Sequence, residues 1–361
     1  MRNKKKMELD LSGTQKVNKM QNFGIRENAK EYPMMLVLSF AYPCNALCPH
    51  CPYTNSNIRK EYKDMPYMPE KIFKKIADES GPYGAYLRIS GGGEPMLHPQ
   101  AVDLLIYAKK KGCKIGLITN GSKFEGDSLE NLISSEIDLI EFSVDADNEE
   151  DYSIFRKGLD WNLLNKNVKR AIDFRNKIKS KTKIIVSAVN QKGVDIDSVE
   201  EYWVNKSTNK QNFGHSADYI IKRKYLTWGN NTEIDQTKSA DPTPYSDTKN
   251  TPCPFIFERL NIDSRGNVMV CGYDISANTS MGNVEKESIK DIWNGEGFNF
   301  YRKKHLSNKG NEISICNQCP DWKYRSWNHN YWKVVKESNK VWLKKIKGMD
   351  FEDDFQVEKS S

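Results

Sequence analysis

The chain has 361 residues, 38% hydrophobic and 29% charged, with a net charge of +7. That length suits one large domain plus a smaller one, with a core under a very polar surface. No apolar run is long enough to cross a bilayer, and the lysines are spread along the chain rather than gathered in a basic stripe with aromatics, so no membrane span, no nucleic-acid partner and a cytoplasmic setting are expected.

Residues 1–33 are polar and aperiodic and read as an N-terminal extension; the basic start, Met1 to Lys6, has no apolar segment behind it, so no secretory signal is expected. From residue 34 the pattern alternates between strand and helix. Strands are predicted at 35–41, 85–90, 114–119, 138–144, 183–189 and 218–223. Between them run helical stripes: Ile72, Phe73, Ile76 and Ala77; Val102, Leu105 and Ile106; Leu129, Leu132 and Ile133; Leu164, Val168, Ala171 and Ile172. Each stripe reads as core. Six strands with crossover helices predict an α/β fold, a partial (β/α)6 TIM-like barrel over 34–227, with its chemistry at the C-terminal strand ends.

Two loops at such strand ends carry chemistry. After the first strand comes Pro43-Cys44-Asn45-Ala46-Leu47-Cys48-Pro49-His50-Cys51. Three thiolates at this spacing can hold three irons of a 4Fe–4S cube and leave the fourth open. Zinc fits less well, since it wants a fourth ligand and His50, adjacent to Cys51, could supply one only with awkward geometry. After the second strand comes Ser90-Gly91-Gly92-Gly93-Glu94-Pro95, where glycine permits positive φ or close backbone approach. Thr119-Asn120-Gly121 ends the third strand. The fourth runs through Ser143 to Asp145, with Arg156 downstream. Cys113 reads as a small buried side chain.

Residues 228–252 break the pattern with Thr, Asp, Ser and three prolines, and read as a linker. A second module, 253–332, holds Cys253, Cys271, Cys316 and Cys319, with a hairpin predicted across Asp263 to Cys271. Four thiolates complete one cluster, or equally a zinc site; spacing does not separate the metals. Asp274, just past Cys271, is a candidate proton acceptor or a turn cap. His98, His215 and His305 read as core or solvated histidines. Residues 333–361 turn acidic and read as a tail.

The cysteine run and the glycine loop together resemble the signature of the radical S-adenosylmethionine (SAM) enzymes. In the second module, Gly266-x4-Cys271, Asp291-Ile292-Trp293-Asn294 and the Cys316/Cys319 pair resemble SPASM/twitch modules, with spacing similar to radical SAM dehydrogenases acting on aminocyclitols. The first resemblance implies that SAM chelates the open iron held by Cys44, Cys48 and Cys51. It implies that the backbone of Gly92, Gly93 and Glu94 receives the SAM amino group. It gives Ser143 and Arg156, with Asp145, contacts to the ribose or carboxylate, sets Asn120 in the same pocket, and lets His50 pack against adenine. The reaction implied is reductive cleavage of SAM to a 5′-deoxyadenosyl radical that abstracts a substrate hydrogen. The second resemblance implies an auxiliary 4Fe–4S cluster on Cys253, Cys271, Cys316 and Cys319. SPASM modules normally carry more cysteines; none follows Cys319, so one auxiliary cluster is expected, able to accept an electron from a substrate radical. The partners implied are a small polar metabolite, such as an amino sugar or cyclitol, or alternatively a peptide, and an electron donor such as flavodoxin or ferredoxin. The reading from another class is a non-catalytic zinc-binding protein.

Overall fold

The computed structural model describes residues 31–54, 56–204, 214–226, 228, 253, 255–275, 278–317 and 319. The expected extension up to residue 30, the linker beyond Trp228 and the tail lie outside the described residues.

Six strands run parallel: β1 (Met35–Leu38), β2 (Tyr86–Ile89), β3 (Lys114–Thr119), β4 (Leu139–Ser143), β5 (Lys183–Asn190) and β6 (Tyr219–Lys224). Each pairs with its sequence neighbours, as in Leu36 against Leu87 and Ser143 against Ser187. Runs such as Met-Leu-Val-Leu and Ile-Ile-Val-Ser-Ala-Val are buried on both faces, the pattern of strands between a helical layer and a lumen.

The helix-facing residues, including Leu36, Leu87, Leu117, Ile140 and Val186, join one core with the helices. Glu70–Ser80 buries Ile72, Phe73, Ile76 and Ala77, and Trp161–Ile178 buries Leu164, Val168, Ala171 and Ile172, as their spacing requires. Ala101–Lys110 differs from expectation. It buries Ala101, Leu104, Leu105 and Ala108, leaving Val102 and Ile106 only half-buried. The alanines complete an equally periodic stripe, and their small side chains let the helix approach the sheet closely.

The opposite strand face lines the lumen. Met35, Tyr86, Leu139, Ile185 and Ile221 form an apolar layer. One pleat further toward the strand C-termini, on the same face, come Arg88, Glu141 and Arg223. Glu141 is fully buried and ion-paired with Arg223. Burial works against its charge, but Arg223 and Arg88 more than offset it and hold the carboxyl below its ordinary range.

The second module joins this sheet. β7 (Arg259–Ile262) pairs parallel with β1, and β8 (Asn267–Met269) and β9 (Ser280–Asn283) follow antiparallel, giving nine strands among the described residues. The expected hairpin is the β7–β8 pair. Asp263 Oδ1 accepts from Arg265 N at 2.9 Å and Asn267 N at 2.8 Å, and Gly266 takes the φ of +78° the turn needs. The parallel pairing of Arg259–Ile262 with β1 was not anticipated. The strand's side chains alternate only over four residues, and its partner β1 lies more than 200 residues earlier.

Candidate active site at the strand ends

Beyond β1, Ala41 bridges both Tyr67 and Gly92, so the cysteine loop starts wedged between two neighbours. Tyr42 stacks on Tyr62 with ring centroids 3.6 Å apart. Within the loop, Cys51 N donates to Cys48 O at 3.1 Å and Ala46 N to Cys44 Sγ at 3.4 Å. Cys44, Cys48 and Cys51 form no disulfide. Burial pushes the Cys51 thiol up to about 12, and Cys48 and then Cys44 add to that rise. Thiolates this close repel one another unless cations lie among them, which is what the irons of a cluster supply.

The glycine loop meets the cysteine loop backbone to backbone. Glu94 N donates to Pro43 O at 2.9 Å. A Cβ on Gly93 would lie 2.1 Å from Pro43 O and 2.4 Å from Tyr42 O, and one on Gly92, at φ +78°, would lie 2.7 Å from Ala41 O. Close approach by a ligand was the expected reason for glycine here. The structure supplies another, the neighbouring protein backbone. Glu94 is buried, and burial raises its pKa. Its carboxylate accepts from Thr119 Oγ1 (2.7 Å), Asn120 N (2.7 Å) and Met96 N (3.0 Å). Asn120 Nδ2 donates to Asn45 Oδ1 at 3.0 Å. Glu94 thus latches the loops after β2 and β3 together with its side chain, and its backbone N–H ties them to the loop after β1.

Asp145 is fully buried at φ +54°. Its Oδ1 accepts from Val189 N at 2.6 Å; its Oδ2 lies 2.8 Å from Arg156 Nη2 and 3.7 Å from His50 Nε2. Arg156 Nη1 donates to Cys48 Sγ at 3.6 Å. Burial opposes the charge on Arg156, yet Asp145 and Cys48 together raise its pKa. Gln191 Nε2 lies 3.3 Å from His50 Nδ1. Burial lowers His50 to about 4, with Asp145 opposing and Arg156 assisting. Asp145 therefore spends its carboxylate on the chain, orienting Arg156 beside the first cysteine group. Ser143 ends β4, half-buried at the same rim.

The second cysteine group gathers around the helix Glu296–Leu306. His305 Nδ1 accepts from Cys253 N at 3.2 Å, and its Nε2 lies 3.5 Å from Cys316 Sγ. Tyr301, one turn earlier, is pushed up to about 12 by burial and then by Cys316, Asp274 and Cys271, so these three groups lie near it. Cys319 N donates to Cys316 O at 3.2 Å, and Tyr273 N to Cys271 Sγ at 3.5 Å. Asp274 accepts from Asn278 N at 2.9 Å, and from Thr279 N and Oγ1 at 2.6 Å each. Both its oxygens cap the loop that follows Cys271. His305 is a core histidine, one of the two expected readings, and in addition it ties two distant cysteines together. Sequence reasoning also missed Asn45, inside the cysteine run, and Gln191, just past β5.

Among the described residues no three His, Cys, Asp or Glu side chains gather about a single ion position. A four-iron cube asks less than that, because each thiolate meets a different iron. Three cysteines in one loop and four in the second module, none of them in a disulfide, are donor sets of the right chemistry for such cubes. No described helix is long and apolar enough to cross a membrane.

Comparison with known proteins agrees. The model of the Radical SAM superfamily matches residues 38–203, and that of SPASM, an iron–sulfur cluster-binding domain, residues 253–320. The chain is 24% identical over 327 residues to the tungsten-containing aldehyde ferredoxin oxidoreductase cofactor-modifying protein of Pyrococcus furiosus, covering 79% of this chain and 88% of that one. It is 26% identical over 288 residues to the subtilosin biosynthesis protein AlbA of Bacillus subtilis, covering 74% of this chain and 61% of AlbA. In fold it is similar to Streptococcus suis SuiB bound to precursor peptide SuiA (TM-score 0.58, 16% identity, 85% of this chain and 73% of SuiB). It is likewise similar to BtrN in complex with AdoMet and 2-DOIA (TM-score 0.51, 14% identity, 79% and 92%). Residues 38–203 are thus a radical SAM domain and residues 253–320 a SPASM iron–sulfur cluster-binding domain, each holding one of the two cysteine groups, and the cofactors are S-adenosylmethionine and 4Fe–4S clusters.

Proposed function

We propose that the protein oxidises a small polar metabolite, of the amino sugar or cyclitol class, by two electrons. The observation that carries this reading is the second cysteine group: Cys253, Cys271, Cys316 and Cys319 make a complete four-thiolate set, leaving no iron open for substrate. When bound, SAM and the first cluster supply a hydrogen-atom abstractor, and the auxiliary cluster a place for the electron left behind. Converting a secondary alcohol to a ketone removes one hydrogen atom, one electron and one proton, so the balance needs both sites and a base. Cys44, Cys48 and Cys51 are assigned to the first cluster. Arg156, held by Asp145, offers a guanidinium fork to a carboxylate; Ser143 and Asn120 offer polar groups on the same rim, and the Gly92–Glu94 backbone adds its own. Arg88, Glu141 and Arg223 make the lumen polar, which suits a polar substrate better than an apolar one.

Peptide modification is the second reading, favoured by the similarity to AlbA and by SuiB binding its precursor peptide. Anaerobic turnover separates the two. Amino sugars and cyclitols are expected to stimulate 5′-deoxyadenosine formation and to yield a product lighter by two hydrogens. Stimulation by a precursor peptide and by no small molecule would overturn the first reading.

A further inference from the structure

We propose that His305 donates a hydrogen bond from Nε2–H to the Cys316 thiolate and so raises the reduction potential of the auxiliary cluster. The proposal goes beyond the oxidation reading and rests only on the assignment of the cluster to Cys253, Cys271, Cys316 and Cys319.

The tautomer follows from the contacts. The backbone N–H of Cys253 can only donate, and it points at Nδ1 from 3.2 Å. Nδ1 therefore carries a lone pair, and the proton of the neutral imidazole sits on Nε2. Nε2 faces Cys316 Sγ at 3.5 Å, within reach of an N–H···S bond. The ring is 1% exposed, so water competes little for either nitrogen, and a hydrogen bond in such surroundings is strong. The helix Glu296–Leu306 holds the ring in place. Three residues earlier on that helix, Arg302 is anchored to Ile256 O at 3.0 Å and Trp293 O at 2.8 Å, fixing the helix against both the start of the module and its middle.

The consequence is electrostatic. Reducing a cluster adds negative charge that spreads onto its thiolates. A donor aimed at one thiolate stabilises the reduced form more than the oxidised form, and hydrogen bonds to the sulfurs are among the levers that set cluster potentials. A higher potential makes the site a better acceptor for an electron from substrate. His305 acts here as a positioning and tuning residue, not as a ligand.

The test is spectroscopic and independent of turnover. In holoenzyme labelled with 15N-histidine, the reduced auxiliary cluster is expected to show a weakly coupled nitrogen by pulsed EPR. That coupling should persist when Cys44, Cys48 and Cys51 are replaced by Ala, which removes the first cluster and with it any contribution from His50. It should vanish in His305→Leu. In an EPR-monitored redox titration, His305→Leu is expected to lower the reduced-to-oxidised ratio about tenfold at a fixed poise, which is 59 mV for one electron. His305→Gln, which keeps an N–H donor, should recover part of the shift. An iron-loaded His305→Leu with unchanged potential overturns the proposal. So does a loaded cluster without nitrogen coupling, or one with the strong coupling of a directly bound nitrogen; these two outcomes are read in protein that keeps His305, so they decide the matter even if His305→Leu fails to load. Zinc in place of iron and sulfide at this site overturns the cluster assignment itself, and the proposal with it.

Discussion

At Gly93 one added methyl group would meet two carbonyl oxygens of the cysteine loop, at 2.1 and 2.4 Å. Neither neighbour is a flexible side chain, so Gly93→Ala should displace the loop that carries Cys44. The expected result is a destabilisation of about 1–3 kcal/mol or more and loss of roughly four irons per chain, read by urea unfolding and iron analysis. Gly126→Ala is the control. Its φ is +51° but nothing lies within 4 Å of the added Cβ, so only a backbone cost of about 1–2 kcal/mol is expected, with iron content unchanged. If both variants keep their iron, the steric account of the glycine loop is wrong. Asp145→Asn leaves the Arg156 guanidinium buried without its counter-charge, and should cost about 3–5 kcal/mol and weaken SAM binding in calorimetry. Equal affinity in the variant would remove Arg156 from the SAM site. Asp274→Asn discriminates base from cap. As a cap, its loss should lower thermal stability while product formation per folded enzyme persists; as a base, turnover should collapse with stability little changed.

Among the elements, the helix Glu296–Leu306 organises the second module, because Tyr301, Arg302 and His305 all reach inward from it. It brings Cys253 and Cys316 to one imidazole, although no local pattern links them. Replacing Cys316 and Cys319 by Ala should halve the iron content and leave SAM cleavage at least partly intact, since Cys44, Cys48 and Cys51 lie in another loop. Substrate oxidation should fall much further. Circular dichroism must accompany the assay, because metal binding in such modules is coupled to folding. A folded double variant with unchanged product yield would reduce the auxiliary cluster to a structural staple.

For the whole molecule, the expected inventory is about eight irons with matching sulfide per chain. Replacing Cys44, Cys48 and Cys51 together should remove half of it and abolish 5′-deoxyadenosine formation under dithionite; surviving cleavage would put the first cluster elsewhere. The six parallel strands, most core stripes, both cysteine groups and the glycine loop were legible in the chain because each is a local signal, a period of two or 3.6 or a fixed ligand spacing. Contacts between such segments carry no local signal. Nothing near Arg259 foretells that β7 pairs with β1, and nothing near His305 foretells Cys253. The glycine triplet was visible, but its steric reason, the carbonyls of Tyr42 and Pro43, came only from the folded chain. Likewise Asp145 reads in sequence as a ligand contact and in the fold as the buried counter-charge that fixes Arg156. By itself the sequence determined which groups are present and which strand each follows; the tertiary structure decided which groups meet, because burying a charged or polar group is costly unless the fold brings it a partner.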